Sequence, residues 1–283
     1  MVQLQSSPAV ILMHRLVRRC LGESNILGLL ENVMHALLKP VAVLLFVLFV
    51  IPVAGNVDAA PQKVKVLVVT GFDVGSHKWE ESTKLVHSVL EKTGRFEATI
   101  SKDKEVFASP TLGDYEAVVL SYGFWKEADP SEKAKVGLLD YVKNGGNVVA
   151  LHFACSSFQD WEEYGVLIGR VWKKGVGGHG PYGEFEVNIK ASKHPITKGL
   201  EDFKTEDELY AKLTGDEEIE VLASAYSDWS GKVEPIVFVK RYGKGRVVQN
   251  VLGHGLDSKQ NTSYQTLLVR GVEWAATGTV TLD

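Results

Sequence analysis

The chain has 283 residues, is 45% hydrophobic and 23% charged, and carries a formal net charge of −4. That composition is ordinary for a globular protein with a packed core and excludes a disordered or fibrous chain. A weakly acidic chain without a Lys/Arg cluster has no field to gather nucleic acid, so no nucleic-acid partner is expected.

The apolar run Val41 to Ala54, preceded by Lys39 and Pro40 and followed by Val57-Asp58-Ala59, reads as an export signal cleaved after Ala59. The competing reading is a membrane anchor. The run is shorter than the ~20 residues a bilayer requires, and Pro52 interrupts its end. A start at Met34 makes the segment signal-like throughout, which marks residues 1–33 as a misassigned start. The expected arrangement is therefore an export signal over 1–59 and one domain over 60–283, periplasmic or extracellular and free of the membrane after cleavage. Cys155 is then the lone cysteine, so no internal disulfide forms and stability rests on the core.

From there strand and helix signals alternate. Val64 to Thr70 is a buried-strand run. Leu85, Val86, Val89 and Leu90 fall at helical spacing, closed by Gly94. Phe96 to Ile100 is a second strand and Tyr115 to Leu120 a third. The next helix opens at Asp129-Pro130-Ser131-Glu132, with Asp129 as the cap, and stops at Asn144-Gly145-Gly146. Asn147 to Phe153 is a fourth strand. Strands apolar on both faces and separated by single helices predict a doubly wound, mostly parallel sheet with the flavodoxin-like order 2-1-3-4. The second half is richer in β signals: Phe185 to Ile189, Glu220 to Ala223, and a hairpin of Pro235–Lys240 and Arg246–Leu252 about Tyr242-Gly243-Lys244-Gly245. A final helix carries Tyr264, Leu267, Leu268, Gly271, Val272 and Ala275 on one face.

In such a sheet the ligand crevice lies at the carboxyl ends of the strands, here between strands 1 and 3. The loops that follow carry His77 and Trp79 after strand 1, Tyr122 and Trp125 after strand 3, and His152 and Cys155 at the end of strand 4. His179 and His254 each sit between glycines, which let a backbone approach a ligand closely. Asp207-Glu208-Leu209-Tyr210 adds two carboxylates and a phenol; alternatively, these acids simply open a helix. Aromatic faces with a few polar groups suit sugar rings. Trp161 and Trp172 read as packing residues, His194 as a turn cap and His87 as a helix-surface residue.

With these residues stand the segments LHFACSSFQDWEEYGVLIG (151–169), GGHGPYGEF (177–185), HPITKGL (194–200), RYGKGRV (241–247) and GVEWA (271–275). Together they resemble the ThuA-like (trehalose utilisation) family of the class I glutamine amidotransferase-like fold, from about Val64 to about Ala276. The resemblance implies a role in disaccharide or keto-sugar glycoside use and a shared pocket for His77, His152, His179 and His254. Amidotransferases place a nucleophilic Cys in an elbow directly after the fourth strand. Here that elbow holds His152-Phe153-Ala154 and Cys155 follows it, which argues against a glutaminase triad.

Three readings remain open. The first is a carbohydrate-processing enzyme in which these four histidines, Asp207 and Glu208 move protons, while Trp79, Tyr122, Trp125 and Tyr210 hold the sugar. The four imidazoles are also the candidate ligands of a zinc-like divalent metal. The second is a sugar-binding module without chemistry, and the third a Cys155-dependent hydrolase.

Overall fold

Val64–Val69 forms strand β1 because five of its six side chains are buried; in a parallel sheet the helices cover both faces. The computed structural model describes residues 62–72, 74–121 and 123–282. The export reading of 1–59 and the pocket role of Tyr122 lie outside them. No described helix is long and apolar enough to cross a membrane. Residues 60–283 make one compact unit.

Helix α1 (Trp79–Lys92) leads from β1 to β2 (Phe96–Ser101). Strand β3 (Ala117–Ser121) leads through α2 (Glu132–Lys143) to β4 (Val148–Leu151). One crossover runs outward from β1 and the other runs the opposite way from β3. Right-handed connections therefore put α1 and α2 on opposite faces of the sheet. After α3 (Glu162–Ile168) come β5 (Gly178–His179), β6 (Gly183–Ile189), β7 (Phe203–Asp207) and β8 (Tyr210–Ala211). They are followed by β9 (Glu220–Ser227), β10 (Lys232–Tyr242), β11 (Gly245–Asn250), α4 (Leu256–Gln260) and α5 (Thr262–Thr277).

The main sheet has the order β2-β1-β3-β4-β11-β10-β9-β6-β7, and β5 pairs separately with β8. Its first half has the expected 2-1-3-4 order, and β11 joins it parallel to β4. From β11 outward the strands run antiparallel, so the β-rich second half extends the same sheet. The fold is doubly wound α/β, with the flavodoxin-like order 2-1-3-4 in its parallel half.

Two local expectations are corrected. Ser131, not Asp129, caps α2: its side chain accepts the Ala134 amide, while Asp129 lies 3.6 Å from Lys135 Nζ. β4 stops at Leu151, and His152–Ser156 forms a single tight turn. The stop of α2 is as expected, with Gly145 at φ +116°, a conformation only glycine adopts cheaply. The six predicted side chains of α5 are all buried against the sheet.

A candidate site of three imidazoles and a carboxylate

The turn after β4 places His152 at φ +45°, a strained conformation for a side chain with a Cβ. It is the turn directly after the fourth strand, and it presents an imidazole. His152 is fully enclosed. Its Nδ1 lies 2.8 Å from the Val251 carbonyl and its Nε2 2.7 Å from the Tyr210 hydroxyl. A carbonyl can only accept, so Nδ1 carries the proton and Nε2 accepts from Tyr210. Burial, then the nearby His77, Lys259 and His254, holds its pKa well below the ordinary histidine value, so the ring is neutral.

His77 arrives from the loop after β1, where its amide donates to the Val74 carbonyl, and its ring is only 7% exposed. His254 arrives from the loop after β11. His77 Nε2 and His254 Nδ1 are 3.1 Å apart, and His254 Nδ1 is 2.9 Å from Glu208 Oε2. The ring centroids of His77, His152 and His254 lie within 5.5 Å of one another. One donor atom each from His77, His152, His254 and Glu208 falls within 4.8 Å of the others, a spacing able to hold a metal ion. Burial pushes the Glu208 carboxyl up, but the hydrogen bond to His254 and the surrounding imidazoles outweigh it and lower its pKa.

His179 stands at the rim. Its Nε2 is 3.6 Å from Glu208 Oε2 and its ring 5.7 Å from that of Trp172. Glu208 thus links the inner imidazoles to the outer one.

Asp207 and Glu208 do not begin a helix: Asp207 ends β7 and Glu208 follows it. Asp207 is fully buried and accepts the amides of Gly253 (2.6 Å), His254 (2.9 Å) and Glu208 (2.9 Å). Burial raises its pKa, opposed by those three amides and Lys259. It positions the site's groups and does not face the cavity. Lys259 is also buried, and its ammonium donates to the Gly253 carbonyl. Gly253 has φ +105°, and a Cβ there would meet the Tyr264 ring at 2.9 Å. This glycine therefore serves a close backbone approach to Tyr264.

A cavity of about 370 Å³ opens beside His254, lined by Ser76, Lys78, Ser82, Tyr182, His254 and Asp257 among others. That volume lies in the range of small-molecule sites, roughly 300–1,000 Å³. A larger cavity of about 680 Å³, walled by Phe107, Tyr115, Tyr141 and Asn147, lies at the amino ends of β3 and β4 and has no imidazole in its lining.

The aromatic residues divide. Tyr210 packs edge-on to Trp172 with centroids 4.5 Å apart, and Phe153 lies 4.6 Å from His77 and 5.3 Å from Trp125. Trp79 points elsewhere, with Lys102 Nζ 5.2 Å over its ring beside the end of β2. Trp172 packs against the core as expected and also borders His179 and Tyr210; Trp161 is buried as expected. Phe153, Tyr182 and Lys259 were not legible as site residues. Phe153 adjoined His152 in the elbow, and that adjacency was the one available signal.

Cys155 has no exposed surface, and burial pushes its thiol up to about 12. A thiol so held yields almost no thiolate, the reactive form, at neutral pH.

The family model described as ThuA, trehalose utilisation, matches residues 65–275. Among solved structures, a ThuA-like protein from Parabacteroides merdae is 32% identical at a TM-score of 0.70, covering 78% of this chain and 93% of its own. A ThuA-like protein from Bacteroides uniformis is 18% identical at 0.63, covering 78% and 94%. A cytoplasmic protein from Salmonella typhimurium LT2 is 14% identical at 0.52, covering 75% and 99%. The latter two show the fold alone. No curated protein sequence matches the chain. With its profile matched over most of its length and a ThuA-like structure at 32% identity, the chain belongs to the ThuA family.

Proposed function

We propose that this protein is a carbohydrate-processing enzyme, acting on a disaccharide or keto-sugar glycoside in the cavity beside His254. The observation that carries the reading is the meeting of that cavity with the cluster of His77, His254 and Glu208. A sugar seated there presents hydroxyl or carbonyl oxygens to donors already oriented by Asp207 and Val251, while Tyr182 offers an aromatic face at the mouth. Preorganised imidazoles and a carboxylate polarise such an oxygen and exchange its proton, steps worth about 10²–10⁴-fold in rate. The family's description as trehalose utilisation supports the substrate class.

The test is product analysis after incubation with a panel of disaccharides and keto-glycosides, alongside calorimetry. Turnover that falls at least about 100-fold in His254→Ala supports the enzyme. Binding with no product over long incubation favours the sugar-binding module instead. Turnover unchanged in both His152→Ala and His254→Ala removes this cluster from the reaction. Export belongs to the same proposal and rests on the apolar run 41–54 and Val57-Asp58-Ala59; N-terminal sequencing of the cell-envelope fraction that finds residues 1–59 intact would overturn it.

A further inference from the structure

We propose that His77 Nε2, His254 Nδ1, Glu208 Oε2 and His152 Nε2 together hold one divalent transition-metal ion of the zinc class. The inference deepens the reading of the same cavity but stands on donor geometry alone.

The geometry has two parts. His254 Nδ1 faces two acceptors, Glu208 Oε2 at 2.9 Å and His77 Nε2 at 3.1 Å. One N–H on that atom cannot point well at both. If His77 donates instead, the Nδ1 lone pair faces a carboxylate. The first arrangement leaves one of the two acceptors poorly served, the second sets a lone pair against a carboxylate, and a cation among the three atoms satisfies all of them. Donors around a four-coordinate zinc, with bonds of ~2.0–2.2 Å, stand about 3.4 Å apart. The two observed separations are close to that, and all four atoms lie within 4.8 Å. His152 completes the set by a small movement of its Nε2 from the Tyr210 hydroxyl, now 2.7 Å away.

The surroundings are those of a metal site as well. A ligating histidine ordinarily donates its other N–H to a carbonyl or carboxylate, which fixes the ring and its tautomer. His152 does so to Val251. Asp207 binds the backbone amides of both Glu208 and His254, fixing two ligand residues from one buried point. Three imidazoles with one carboxylate suit zinc, cobalt, nickel or iron and not the all-oxygen preference of calcium or magnesium. The four ligands are also partly covered: His77 and His152 are buried, Glu208 and His254 are half-buried, and His254 borders the cavity, so a bound ion lies beside the substrate on the His254 side. With the ion in place, His179 is the imidazole left to carry protons, 3.6 Å from Glu208.

The experiment uses the full chain, stripped with a chelator and dialysed, then titrated with ZnCl₂ by calorimetry and, separately, with CoCl₂ by visible absorption. The expected result is one ion per chain, a Co(II) spectrum of low coordination number with nitrogen ligands, and a rise in Tm reversed by EDTA. His77→Ala, His254→Ala and Glu208→Gln should each weaken binding at least about 100-fold, and Asp207→Asn about 10–100-fold through loss of positioning. His179→Ala should keep full stoichiometry. If a variant fails to fold, the wild-type Co(II) spectrum still decides: a spectrum of fully hydrated ion, or no ion retained, overturns the site. Equal binding by wild type and folded His254→Ala overturns it too. A chain that retains no ion yet still turns over sugar would end this inference and leave the carbohydrate reading intact.

Discussion

Asp207 Oδ1 accepts the backbone amide of His254 at 2.9 Å from across the sheet, tying the end of β7 to the loop after β11. The same carboxylate takes the amides of Gly253 and Glu208, so a buried side chain that meets no cavity sets the separation of the His254 and Glu208 side chains. β7 lies at the far edge of the sheet, so these bonds join its end to a loop that follows a central strand.

Replacing Asp207 should therefore damage stability and site together. Asp207→Ala leaves three amides, one buried and two part-buried, without their acceptor, at a cost of roughly 3 kcal/mol. Urea unfolding should show it as a lower midpoint at unchanged m-value. A midpoint within experimental error of wild type would mean that the three amides find other partners.

The Cys155 thiol should be inert in the native protein. Its burial and raised pKa of about 12 leave neither access nor thiolate at neutral pH. Iodoacetamide at pH 8 should label it only after unfolding, as read by intact mass. Rapid native labelling accompanied by loss of turnover would restore a Cys-dependent hydrolase.

A third outcome concerns pH and a site remote from the cavity. Glu273 on α5 is fully buried and accepts from Arg95 Nε at 2.8 Å, from the Thr281 amide and hydroxyl, and from the Leu282 amide. Burial raises its pKa, but those hydrogen bonds outweigh it and the carboxyl is held below its usual value. A depressed carboxylate contributes stability that is present above the unfolded value, about 4.3, and lost as pH falls through the folded value. Glu273→Gln should cost about 1–3 kcal/mol near pH 7, and the gap from wild type should close as pH drops below about 4. Denaturant melts at both pH values check this; a gap that is constant with pH would assign the loss to packing.

Much of the architecture was legible because it follows from local periodicity. Apolar runs at 64–70 and 147–153, helical spacing at 85–90, and the stop at Asn144-Gly145-Gly146 each need only neighbours in the chain to specify an element. Right-handed crossovers then left few strand orders, and 2-1-3-4 was the one found. Short-range capping was less legible: Asp129 and Ser131 are both good caps, and the turn geometry that selects Ser131 is not written in composition.

The site divides along the same line. Which side chains to expect together was readable from residue type and from their place after strands, and the structure gathers His77, His152, His179, His254 and Glu208. How they meet was not, because the contacts join residues as far apart as 177 positions, between His77 and His254. Asp207 could not be told from a catalytic acid, nor Trp79 from a pocket wall, until the burial of one and the cation over the other were known. The sequence by itself determined the elements, their order and the family, because short-range pattern and handedness suffice for those. Only the tertiary structure decided which nitrogen faces which oxygen, because that depends on how β11 lies beside β4 and where the β7 loop reaches it.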